Sequence, residues 1–369
     1  MEIGSHYYAV LALCRLLGMK KKIASKVAYS SEMVDDALIE RVMFKEARAG
    51  LKLQKMGSYL GLDSCSTCPH LMTVWSYNHA KMMKTLVPFH FIPSCKGNEF
   101  NRRIRTHPDS PMLKDFLEDD YVMKSPFHLG IILHVLGDAF AHQGFSGIVS
   151  RGNRIRKFRV NLDTISGTGD RFLAKLISHH PELHSRTLAR VLPMYSHSRV
   201  GTVPDLPSVE WSYEYDIAYK NLLPRYVTSG LISNPQRYIK AFEKFQSLIL
   251  RFLALHPKFK EKNDIDFELS NFFLQLTKNV SREETEHSWR KFMLKHALFD
   301  FNDHDLYYDK HYWLKHAFEN YKARLNSKKV FYKAIPKVDF LESDWYHYYL
   351  AQREYKKQYA LLAEKYEIY

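Results

Sequence analysis

The 369-residue chain contains no run approaching the roughly 18 uninterrupted apolar residues of a membrane span. Its longest apolar stretch, from Leu129 to Phe140, is broken by His134 and Asp138, so no transmembrane segment is expected. Four cysteines, two of them in Cys65-Ser-Thr-Cys68, are too few for a disulfide framework and point to a reducing compartment. Fifteen glycines and 14 prolines exclude collagen-like and linker-like chains. The stretch from Met1 to Leu17 lacks a basic lead and carries His6 and Arg15, which argues against a cleaved signal peptide. The expected location is cytoplasmic, or outside the cell by a route needing no cleaved signal. Acidic residues are the scarcer charge, 40 against 54 Lys and Arg. The resulting net charge of +14 attracts anionic partners such as phosphates, nucleic acid or acidic lipid headgroups.

Alternating runs bounded by turn residues are also scarce, whereas apolar residues recur at three and four spacings. The expected class is therefore all-α, with 46% hydrophobic residues supplying a core. Ser5 and Gly18 bracket a first helix. Ser125-Pro126 opens a second, with Gly144 just past its end; Asn234-Pro235, the pair Ser281 and Glu284, and Ser343 open later ones. Composition shifts near Tyr215, dividing the chain into residues 1–215, rich in His and Asp, and an aromatic and Lys-rich helical region over 216–369. The basic stretch from Arg151 to Arg159 reads as an exposed loop or arm. Trp345, Tyr348 and Tyr349, with Arg353 and Lys356, read as a packed stripe with a solvated opposite face.

The chemistry concentrates in Leu129-Gly-Ile-Ile-Leu-His-Val-Leu-Gly-Asp-Ala-Phe-Ala-His142. On a helix, His134, Asp138 and His142 project from nearly one face, each about 6 Å along the axis from the next. Among apolar neighbours each incurs a desolvation cost unless paired or bound to a cation. Adjacent members can share one ion, but the outer histidines are too far apart to do so, which puts Asp138 in position to bridge two metals. His6, the pair Asp35 and Asp36, and His90 lie upstream; His197 lies downstream, eight residues before Asp205. His304, His311, His316 and His347 read as packing residues rather than ligands.

The phrases His6-Tyr-Tyr, Ala28-Tyr-Ser-Ser-x-x-Val-Asp-Asp36, Phe89-His-Phe-Ile-Pro93, the segment around His134 and the stretch from His197 to Pro207 resemble an uncharacterised bacterial domain family. The order of histidines and aspartates is more distantly similar to the zinc-dependent phospholipase C and single-strand nuclease superfamily. That resemblance implies a helical fold with up to three zinc ions. One would be held by Asp36 or Asp35 with His90, His134 and Asp138, a second by His6 and Asp138, and a third by His142 and His197. Arg199, and Gly201 in the place of an acid, make the third position weak. Manganese or iron would also suit imidazole and carboxylate ligands.

The function expected on this basis is a metal-dependent phosphoester hydrolase, phospholipase C-like or nuclease-like. Asp36 and Asp138 would carry the catalysis, and the substrate would be an anionic phosphate compound, a lipid headgroup or nucleic acid. The alternative is a non-enzymatic helical binding protein with a structural or degenerate metal site.

Overall fold

The computed structural model describes residues 1–46, 50–51, 53–56, 58–68, 78–161, 197, 200–217, 223, 225–261, 269–278, 282–323 and 331–368. Its organising element is the helix Pro126–Ala141, every residue of which is buried. Proline at the first helical position loses no hydrogen bond there, and Gly144 accepts the left-handed backbone (φ +94°) just past the end. Ser125 does not cap a backbone N–H; its hydroxyl instead lies 2.7 Å from His128 Nδ1.

Around this central helix pack the helix Lys21–Asp36, the helix Asn234–Leu255 and the C-terminal helix Asp344–Lys365. The closest approach is to Lys21–Asp36, where Gly130 leaves room: a Cβ there would fall 2.4 Å from the Val27 carbonyl oxygen and 2.6 Å from Ser30 Cβ. Ser30 Oγ donates to the Phe127 carbonyl at 2.8 Å across the same contact. The N-terminal segment enters through a π-helical turn, Gly4–Ala9, continuing as the helix Val10–Leu16, with Gly18 (φ +84°) after its end. Ser343 Oγ accepts from Tyr346 N at 3.3 Å, capping the last helix as expected. In that helix Trp345, Tyr348, Tyr349 and Tyr355 are buried, as a packed stripe requires. Ser281 lies outside the described residues; the helix after it runs Arg282–Lys295.

The all-α expectation is overturned by two four-stranded sheets, which make this a mixed α and β chain. The first comprises β1 (Arg41–Phe44), β2 (Gln54–Met56), β3 (Tyr59–Leu62) and β8 (Phe331–Lys333), in the order β2-β3-β1-β8, with β8 parallel to β1. The second comprises β4 (Ile155–Val160), β5 (Glu210–Asp216), β6 (Tyr226–Thr228) and β7 (Ile232–Ser233), all antiparallel, with β4, β6 and β7 each pairing with β5. Most of these strands have four residues or fewer, too short for a period of two to stand out, and β1 finds β8 from the far end of the chain. The basic stretch after the central helix is largely β4 rather than an exposed arm. Ile155 and Phe158 are buried, and Arg156 and Lys157 each lie 2.8 Å from Glu214 on β5. The soft boundary at Tyr215 falls inside β5. Among the described residues no helix is long and apolar enough to cross a membrane.

Candidate metal centre

Side chains from several elements gather around the carboxylate of Asp138, which is 1% exposed. His134, fully buried one turn earlier on the central helix, places Nε2 3.2 Å from Asp138 Oδ2. His90, the last residue of the short helix Leu86–His90, brings Nδ1 to 3.0 Å from the same oxygen. His6 arrives on the π-helical turn, its Nε2 3.0 Å from Oδ1, and its ring stacks on that of His134 with centroids 3.8 Å apart. Gly137 admits this segment, since a Cβ there would meet Met1 Sδ and Phe245 at 3.1 Å and His6 Cε1 at 3.4 Å. The amino group of Met1 lies 2.5 Å from Asp138 Oδ1 and 3.2 Å from Asp205 Oδ1. Asp35, in the last turn of Lys21–Asp36, completes this side, its Oδ1 3.6 Å from His90 Nδ1 and 4.0 Å from His134 Nε2.

On the other side His142, capping the central helix, stands with His197 and Asp205. His142 Nδ1 lies 2.9 Å from the His90 carbonyl oxygen, and its Nε2 2.9 Å from Asp205 Oδ1. His197 Nδ1 lies 2.8 Å from the Gly201 carbonyl, and its Nε2 3.5 Å from Asp205 Oδ2. A carbonyl oxygen only accepts, so both Nδ1 atoms carry hydrogen. A ring with no second proton would turn the lone pair of Nε2 toward a carboxylate that also only accepts. Such a contact requires a proton on each ring or one cation shared between them.

Three groups of potential ligands result: His6, His134 and Asp138; Asp35, His90 and His134; and His142, His197 and Asp205. Within each, one ligand atom per residue lies within 4.8 Å of the others. The donor set fits metal ions. Imidazole and carboxylate are the preferred nitrogen and oxygen ligands of zinc and its neighbours, and His6 Nδ1 and His134 Nδ1 are buried without a hydrogen-bond partner among the described residues.

Electrostatics prepare most of these groups for a cation. Burial, reinforced by His134, pushes His6 down to about 3, which keeps its ring neutral. Burial likewise lowers His197. Burial alone would raise Asp138 and Asp205, but the surrounding imidazoles and the amino group of Met1 outweigh it and hold both carboxyls far below their ordinary value. Burial also opposes charge on the Met1 amine, yet Asp138, Asp205 and Asp35 keep its pKa at about 11. His90 moves upward despite burial, because its hydrogen bond to Asp138 favours a protonated ring. In the absence of metal, protons and the amine balance the buried carboxylates.

Of the residues expected as ligands, the structure brings His6, Asp35, His90, His134, Asp138, His142 and His197 into these three groups. Asp35 is the residue that faces the histidines. Asp36 points away, accepting a hydrogen bond from Tyr308 at 2.8 Å with Lys310 Nζ at 3.8 Å, and burial raises its pKa. Asp205 is the member that ligand spacing did not assign. The resemblance implies an acid four residues after His197, where Gly201 stands; the chain places one four residues later, in the turn Val203–Asp205. The Pro-Asp-Leu-Pro phrase was its only signal. Arg199 lies outside the described residues. Cys65 is buried, its thiol pushed up to about 12 by burial, and all four cysteines are free; His70 lies outside the described residues. His304, His311 and His347 pack against Tyr312, Tyr321 and Phe127, apart from the cluster.

A family model described as a family of unknown function, DUF6765, matches residues 1–361. The chain belongs to this family. The match takes in all three groups of potential ligands and the aromatic C-terminal region beyond residue 215 as well. No curated protein and no solved structure matches the chain.

Proposed function

We propose that this DUF6765 chain is a metal-dependent hydrolase of phosphoester bonds, with ions held by three ligand groups along the central helix. The observation that carries the reading is the pair of imidazoles, His142 and His197, both presenting Nε2 to the single carboxylate of Asp205, alongside an equally crowded Asp138. Zinc suits the donors best, with manganese or iron as alternatives. One position takes Asp35, His90, His134 and Asp138, a second His6 and Asp138, and a third His142, His197 and Asp205. The order of these ligands keeps the likeness to zinc-dependent phospholipases C and single-strand nucleases as part of the proposal.

Bound ions would supply a water whose pKa is lowered to about 7 and a clamp for phosphate oxygens. The chain's own residues position and shield. Gly201 and His90 hold two imidazoles through their carbonyls, and the apolar face of the central helix keeps bulk water away from Asp138. Asp35, with 37% of its side chain exposed, is the open edge of the cluster and the group best placed to orient an attacking water or accept its proton.

The second reading, a binding protein with a structural metal site, draws on the near-complete burial of His6, His134 and Asp138, as closed structural sites show. One assay separates the two. Metal-loaded protein should cleave a simple phosphodiester such as bis(p-nitrophenyl) phosphate, lose that activity to chelator and regain it with zinc or manganese. A fully metal-loaded, folded preparation that cleaves neither this substrate nor nucleic acid nor phospholipid headgroups decides for the binding protein.

A further inference from the structure

Beside the metal centre, at the C-terminal end of the central helix, the face of the second sheet walls a cavity of about 530 Å³, a size suited to a small-molecule ligand. Gln143 and Gly144, which directly follow His142, line it, so the cavity begins where the third ligand group ends. Two arginines enter it from different elements. Arg105 donates from Nε to the Gly144 carbonyl at 2.6 Å and lays its guanidinium 4.1 Å over the Tyr215 ring. Arg237, in the first turn of Asn234–Leu255, donates from Nη1 to the Ala141 carbonyl at 3.3 Å and sits 6.0 Å from the centre of the Trp211 ring.

Neither arginine forms an ion pair with a described carboxylate. Glu99 and Asp216 share the wall, yet neither reaches them. This is unusual for half-buried guanidinium groups, which ordinarily meet carboxylates, and burial lowers the pKa of Arg237 to about 10. Each is instead parked on a main-chain carbonyl and an aromatic ring, contacts that fix its direction and leave other donors free. Gly144 keeps the space open: its backbone is left-handed, and a Cβ there would lie 3.0 Å from Tyr213 Oη and 3.4 Å from Arg105 Nη2.

We infer that this cavity is an anion subsite in which Arg105 and Arg237 receive a phosphate group of the substrate, next to the ions that would act on it. The assignment of the bound phosphate to a substrate rests on the hydrolase reading above; the binding of phosphate does not. Two guanidinium groups lining one cavity offer charged N–H donors for phosphate oxygens, and the cavity leaves room for the remainder of the molecule.

The test uses the protein as purified, exposed to phenylglyoxal with and without inorganic phosphate, and locates modified arginines by peptide mapping. Phosphate is expected to shield Arg105 and Arg237 together. In calorimetric titration Arg237→Gln and Arg105→Gln should each weaken phosphate binding roughly tenfold or more, the loss expected for a charge-assisted hydrogen bond in a partly buried site. Glycerol 3-phosphate and a nucleoside 5′-monophosphate form two further arms, and the one that binds more tightly than phosphate identifies a lipid headgroup or a nucleotide as the source. Equal reactivity of both arginines with and without phosphate, or undiminished phosphate binding in both folded variants, overturns the subsite. Shielding without hydrolysis counts against the hydrolase reading alone, and hydrolysis without shielding against the subsite alone.

Discussion

Asp138 is the residue on which the centre turns, because one fully buried carboxylate faces His6, His90 and His134 at 3.0 to 3.2 Å. Its replacement by asparagine retains the shape and removes the charge that two of the proposed metal positions would share. Asp138→Asn is therefore expected to lower bound metal more than Asp35→Asn or Asp205→Asn, each of which serves one group, as elemental analysis of the three folded variants would read. Equal occupancy in the parent and Asp138→Asn would exclude the bridging role. Asp36 supplies the contrast within one helical turn. Its carboxylate meets Tyr308 and Lys310, so Asp36→Asn should leave metal content unchanged while Asp35→Asn reduces it. The reverse result would return the ligand role to Asp36. Sequence alone could not choose between them, because the choice depends on a rotation of about 100° around a helix whose packing partners lie in other elements.

At the scale of elements, the central helix owes its position to small residues as much as to apolar ones. Gly130→Ala inserts a methyl group against the Val27 carbonyl and Ser30, atoms of a neighbouring helix that cannot swing aside. Alanine ordinarily gains up to ~1 kcal/mol over glycine in a helix, but overpacking costs ~1–3 kcal/mol, so a net loss in chemical denaturation is expected. A more stable variant would show that the two helices separate freely. The same helix carries a pH-sensitive joint to the C-terminal helix, where His128 lies 3.3 Å from Glu354 and 2.7 Å from Ser125 Oγ. Burial lowers His128 to about 4 from an ordinary 6.5. The folded chain thus binds fewer protons than the unfolded one between those values. The stability from a neutral His128 is present above pH 6.5 and lost as pH falls toward 4. His128→Gln should flatten that part of the stability curve, as urea midpoints at pH 4.5 and 7 would show; an unchanged slope would assign acid sensitivity elsewhere.

The elements that were legible in the sequence are those with caps and length: Ser125-Pro126, Asn234-Pro235 and Ser343 each mark a helix that is present. The sheets were not legible, because β1 to β3 and β6 to β8 are too short to display a period and β1 pairs with β8 across most of the chain. β5 is the exception. Glu210-Trp-Ser-Tyr-Glu-Tyr-Asp alternates, burying Trp211 and Tyr213, and carries the aromatic signal of a strand. For the centre, spacing on one helix revealed His134, Asp138 and His142, whereas Asp205 was hidden because a turn, not a helix, sets its distance from His197.

For the molecule as a whole, the excess of 54 basic over 40 acidic residues surrounds a centre of buried carboxylates and imidazoles. On the proposed function that net charge should concentrate phosphate-bearing anions, and phosphodiester cleavage should slow as ionic strength rises from about 0.01 to 0.15 M, over which the screening length falls from about 30 to 8 Å. A rate independent of salt would confine recognition to the centre and its adjoining cavity. Whether the three ligand groups hold ions is read from the metal content of the purified, folded chain by elemental analysis, before and after chelation and reloading with zinc. Two to three transition-metal ions per chain are expected, removable by chelator, restored by zinc and sharply reduced in Asp138→Asn. A folded chain that carries no metal and takes up none from zinc buffer would contradict that expectation.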